Sequence, residues 1–131
     1  MKYKKSLIGA AAFIVTGICL GALGAHSLEP VLSQSELDSF KTGVNYQIYH
    51  GLSVFILFLL AEKLKINLIW SVRLLFFGVV CFSGSIYLLS LKTLLGLESW
   101  STILGPITPI GGLSLIIGWV LLLATLLRLK K

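Results

Sequence analysis

The chain has 131 residues, 56% of them hydrophobic and only 12% charged, with a mean hydropathy of +0.97. A soluble domain carries about twice that charged fraction, so the composition excludes an ordinary soluble globule and points to a membrane protein with room for three or four spans of roughly 20 residues. The formal net charge of +6 suits either nucleic acid or anionic lipid, and the position of the charges decides between them.

Four apolar runs follow in chain order, at about residues 6–25, 44–61, 68–91 and 106–127. Continuous apolar runs of this length suit helices rather than the alternation of a barrel. The first run follows Lys2, Lys4 and Lys5, as a signal peptide would. It exceeds the usual apolar region of about 7–15 residues, so it reads as a retained helix. Its Gly17, Gly21 and Gly24 form a small-residue stripe for close helix packing.

Between the first two runs, Leu28, Val31, Leu32, Leu37 and Phe40 are spaced roughly as on a helix, and Ser35 with Asp38 forms a capping pattern. These features predict a short interfacial helix within residues 28–42. The second run opens on Asn45-Tyr46-Gln47-Ile48-Tyr49-His50-Gly51. Tyr46, His50 and Ser53 share one helical face, and Asn45 and Tyr49 share an adjoining stripe. Polar groups facing lipid are costly, so this face is expected to point into the bundle. Tyr49 fits equally well in the aromatic belt at headgroup level.

The third run carries Gly78, Cys81 and Ser85 as a second small-residue stripe, with Gly84, Ser83, Tyr87 and Ser90 nearby. Arg73, just inside its start, is expected to snorkel to the headgroups. The fourth run begins Gly105-Pro106-Ile107-Thr108-Pro109. Its helix starts either at Pro106 or at Pro109 with Thr108 as N-cap. Either start leaves backbone N–H groups free to hold an anion or a carboxylate such as Glu29. Gly111, Gly112 and Gly118 supply further packing surface, and such stripes also suit a homo-oligomer.

With four spans, nine of the eleven basic residues fall on one side: Lys2, Lys4, Lys5, Lys63, Lys65, Arg73, Arg128, Lys130 and Lys131. The other side holds Lys41 and Lys92 with four of the five acids. The bias places both termini in the cytoplasm. It assigns the positive charge to orientation and lipid contact, not to nucleic acid. His26, Asn45, Tyr46, Gln47, Tyr49, His50, Ser85, Tyr87 and Thr108 then gather as a polar cluster in the outer half, the candidate binding residues of the chain.

The segments Gly21–His26 (GALGAH), Thr42–Leu52 (TGVNYQIYHGL), Phe82–Leu91 (FSGSIYLLSL) and Gly105–Gly112 (GPITPIGG) resemble, in order, those of the YgdD-like family (DUF423, UPF0382). These are small bacterial inner-membrane proteins related to a mitochondrial-type transmembrane protein of animals. The resemblance implies an all-α integral membrane four-helix bundle and brings no activity with it.

No GxSxG, HExxH or phosphate-binding loop is present, so no enzyme and no cofactor is expected. His26 and His50 alone fall short of a metal centre. Cys19 and Cys81 form no CxxC pair and read as free buried thiols. Two roles remain for the polar cluster. It is a structural hydrogen-bonded cluster, or an outer-face site for a small molecule, lipid headgroup or ion.

Overall fold

The computed structural model describes residues 3–129. Lys2, Lys130 and Lys131, which enter the charge count above, lie outside the described residues. The elements are α1 (Lys4–His26), α2 (Gln34–Leu64), α3 (Ile69–Ser90), the single turn α4 (Lys92–Leu95), a 3-10 turn at Glu98–Trp100 and α5 (Ser101–Leu127). No strand occurs among the described residues, and α1, α2, α3 and α5 are each long and apolar enough to cross a membrane.

Two helices differ from the sequence expectation. The predicted interfacial helix is not separate, because residues 34–42 are the opening turns of the 31-residue α2. The cap also lies earlier than Ser35. Ser33 is the N-cap, and its hydroxyl accepts the Glu36 backbone N–H at 3.4 Å. Its own N–H and Oγ–H donate to Glu36 Oε2 at 3.0 and 2.6 Å. This is a capping box of the S-x-x-E form, and nothing between it and the apolar run breaks the helix. At its far end α2 closes on Lys65, which takes the left-handed conformation at φ 53°.

The fourth span starts at neither proline. Pro106 and Pro109 both lie inside α5, which begins at Ser101. An interior proline removes one backbone hydrogen bond, a loss that membrane helices tolerate when neighbouring groups compensate. Thr108 is therefore no N-cap, and no ring of free N–H groups meets the polar cluster. Glu29, exposed in the α1–α2 connection, has no helix terminus there to cap.

The packing is serial. α1 lies on α2, α2 on α3, and α3 on α5 through the most extensive interface. Each contact uses glycines. A Cβ on Gly17 would stand 2.7 Å from Ile48 Cγ1, and one on Gly24 would stand 3.1 Å from Phe40. Gly43 and Gly51, outside the expected stripes, admit the Tyr87 ring and the Ala10 carbonyl. Gly84 has open space around it and Gly112 meets only ordinary contacts, so neither is required for packing as expected. The α1 stripe is occupied by α2 of the same chain rather than left for a second copy.

Two apolar clusters result. One gathers Val54, Leu57, Leu68, Leu75, Val79 and Leu115 towards the end bearing the termini. The other gathers Leu28, Phe40 and Val44 at the opposite end, with Tyr87 packed against it. Arg73 is exposed, its guanidinium 4.9 Å from the centre of the Trp70 ring, as suits a side chain reaching an interface.

Candidate functional site

Between the two apolar clusters runs a polar layer with Gln47 at its centre. The Gln47 side chain is buried in the α1–α2–α3 contact. Its Nε2 donates to the Phe13 carbonyl and to Thr16 Oγ1, both at 2.8 Å. Its Oε1 accepts the Tyr87 hydroxyl at 2.8 Å. Tyr87 reaches this depth because helical side chains lean towards their own N-terminus, and α3 runs upward from the terminal end. One amide thus joins three helices with both of its donors used.

One turn further, His50 joins α2 to α5. Its Nδ1 lies 2.7 Å from the Tyr46 carbonyl, so that nitrogen carries the proton and donates. Nε2 is left as the acceptor for the Trp119 indole N–H at 3.2 Å. Both ring nitrogens are spent inside the chain. Tyr46 leans between the Phe82 ring at 4.6 Å and the His50 ring at 5.8 Å, and it is 40% exposed with no hydrogen bond from its hydroxyl among the described residues.

Two more links hold α3 to α5. Ser85 Oγ and Thr108 Oγ1 are 2.7 Å apart, and Ser114 Oγ donates to the Leu74 carbonyl at 2.9 Å. Ser83 and Ser90 differ. Both are buried, at 1% and 3% exposure, and neither hydroxyl has a partner.

The structure therefore divides the expected cluster. Tyr46, Gln47, His50 and Tyr87 come together, and Ser85 with Thr108 forms a separate pair. His26, Asn45 and Tyr49 do not join. All three face outward, and Tyr49, at 59% exposure and within two residues of Gln47, is not at headgroup level as an aromatic belt would need. Ser53 bonds only the Tyr49 carbonyl of its own helix. Gly24 faces Phe40 in an antiparallel pair, so His26 sits about twelve residues, roughly 18 Å, along α2 from His50.

Depth is corrected as well. Gln47 meets Phe13 and Thr16, the middle of α1, so the layer lies near mid-span rather than at the outer mouth of α2. Thr16, Ser114 and Trp119 were not among the expected residues. Trp119 carried a signal, since an indole N–H inside an aliphatic run needs an acceptor. Cys19, expected to be buried, is exposed on α1. Among the described residues no group of three or more His, Cys, Asp or Glu converges as metal ligands would.

Two cavities flank the layer. The larger, about 520 Å³, is a lateral groove between α2 and α5 lined by Tyr46, His50, Phe82, Leu115, Ile116 and Trp119 among others. The smaller, about 280 Å³, lies at the end away from the termini and contains Glu36, Ser90 and Lys92.

The model of a protein family of unknown function, DUF423, matches residues 20–112. A UPF0382 membrane protein of Staphylococcus haemolyticus is 42% identical over 120 residues, covering 92% of this chain and 93% of that protein. YwdK of Bacillus subtilis is 37% identical over 127 residues, 95% of this chain and 98% of its own length. The inner membrane protein YgdD of Escherichia coli K12 is 36% identical over 126 residues, 95% and 91% of the two chains. No solved structure matches the chain. Being 36–42% identical to several of its members over more than nine-tenths of its length, this four-helix membrane protein belongs to the UPF0382 (DUF423) family.

Proposed function

We propose that the polar layer is a structural lock and that the chain is a single transmembrane domain of the bacterial plasma membrane, with no catalytic role. The observation that carries this reading is Gln47, whose amide is consumed by α1 and α3 at once. Catalysis needs a group with spare bonding capacity facing a reactant. His50, the only histidine in the layer, has none left.

His50→Ala is the direct test. It removes a link between α2 and α5 and opens space beside Trp119, for an expected loss of about 1–2 kcal/mol. Thermal unfolding in detergent should show it, with the co-purifying lipid unchanged. A second reading, the outer-face site for a small molecule, lipid headgroup or ion moved to the depth of the layer, is supported by the lateral groove and the unpaired Tyr46 hydroxyl. Unchanged stability together with lost lipid in the same variant would favour that reading instead.

The orientation is proposed from charge. Both termini face the cytoplasm, which leaves the α1–α2 connection and α4 outside. A green fluorescent reporter fused to the C-terminus should fluoresce, and alkaline phosphatase fused there should be inactive. An active phosphatase would reverse the orientation.

A further inference from the structure

The smaller cavity differs in kind from the groove. The opening turns of α2, the last turns of α3, α4 and Thr108 of α5 build it, with Glu36, Ser90 and Lys92 among its walls. Three observations bear on what it takes. Glu36 Oε2 receives both Ser33 bonds, and Oε1 receives none among the described residues. Lys92, half-buried, forms no close ion pair among the described residues, though its charge acts on Glu36 across the cavity. Ser90 is almost fully buried, yet its hydroxyl has no acceptor.

A carboxylate oxygen and an ammonium thus share one small space, with an unpaired hydroxyl buried in its wall. A purely anionic guest would meet Lys92 favourably and Glu36 unfavourably. A purely cationic guest would meet the reverse. A guest carrying both charges satisfies both walls. Its anion, if a phosphate, also offers the acceptor that Ser90 lacks.

We propose that this cavity seats a phosphate ester bearing a primary ammonium, with the phosphate on Lys92 and Ser90 and the ammonium on Glu36. The source that fits best is the headgroup of a phosphoethanolamine lipid. Ser35, Ser39 and Thr108 also line it, and Ile86 and Leu89 add apolar surface suited to the glycerol and upper acyl region. At about 280 Å³ the cavity sits at the small end of ligand sites, about 300–1,000 Å³, which suits a compact headgroup and not a glycosylated one. The site goes beyond the structural lock, since none of these groups belongs to the Gln47 layer. Only the choice of outer leaflet rests on the orientation proposed above.

The test is native mass spectrometry of the full chain in detergent, where sidedness does not enter, titrated with short-chain phosphatidylethanolamine, phosphatidylcholine and phosphatidylglycerol. Phosphatidylethanolamine is expected to bind at least about tenfold more tightly than the other two. Phosphatidylcholine has no N–H for Glu36, and phosphatidylglycerol has no cation. Lys92→Gln and Glu36→Gln should each weaken it about tenfold, and Ser90→Ala about threefold. Glutamine preserves the capping box, so Glu36→Gln remains informative if Lys92→Gln fails to fold. Soluble O-phosphoethanolamine is the fourth ligand. Binding equal to the lipid's would support the site's chemistry and assign it to a solute. Equal binding of all three lipids, no binding of any ligand, or folded variants that bind like the parent would overturn the proposal.

Discussion

Gln47→Leu is expected to destabilise the protein by about 2 kcal/mol or more, the largest loss of any single side chain in the polar layer. Leucine is close to glutamine in volume, so the change removes bonding without a large cavity. Three interhelical hydrogen bonds vanish together. Such bonds average about 0.6 kcal/mol and reach about 1.7 in membrane bundles. The Tyr87 hydroxyl is then stranded inside the bundle, which adds its own cost. Thr16 suffers less, because it keeps its bond to the Ala12 carbonyl at 2.7 Å. Asn45→Leu is the matched control. Asn45 faces outward and bonds nothing among the described residues, so its loss should stay within about 0.5 kcal/mol. Unfolding in mixed micelles measures both.

Gly111→Ala should be at least as damaging, by a different route. A Cβ on Gly111 would run into the Phe82 backbone nitrogen and lie 2.8 Å from its Cα. Backbone cannot swing aside as a side-chain tip can, so α3 and α5 would have to separate. That interface is the most extensive in the bundle, and it carries the Ser85–Thr108 and Ser114–Leu74 bonds. Overpacking typically costs about 1–3 kcal/mol, and the backbone contact puts this site at about 3 or beyond. The neighbouring Gly112→Ala meets Phe82 only at 3.7 Å and should be neutral or stabilising by up to about 1 kcal/mol, since alanine is the better helix former. A thermal comparison of the two variants separates a required close approach from general glycine content. Equal losses would sink the argument.

These contrasts show what was legible in the sequence. Span number followed from composition, because lipid allows few alternatives to apolar helices. The polar face of α2 was recognised, but its hub was misjudged. The i, i+4, i+7 pattern singled out Tyr46, His50 and Ser53, whereas the residue with most partners is Gln47. Periodicity assigns a face and cannot say which neighbour stands opposite. Only the register of α1 on α2, set where Gly17 meets Ile48, brings Phe13 and Thr16 to the amide.

Boundaries failed where local signals conflicted. Thr108-Pro109 has the form of a helix start, yet Thr108 spends its hydroxyl on Ser85 and the helix begins at Ser101. Ser35 and Asp38 matched a capping pattern that Ser33 and Glu36 fill two residues earlier. Among the glycines, the α1 stripe could be read from spacing. Gly111 could not be told from Gly112, because both face Phe82 and the difference lies in which one meets its backbone and which only its ring.

The central claim is that the polar residues are spent on one another. A double-mutant cycle between Gln47→Leu and Tyr87→Phe tests it most directly, since the two side chains share one 2.8 Å hydrogen bond across α2 and α3. The structural lock predicts a coupling energy of about 0.6–1.7 kcal/mol, with the double variant less destabilised than the two single losses together. Losses that add within about 0.3 kcal/mol would mean that the two groups do not stabilise each other, and would contradict the account.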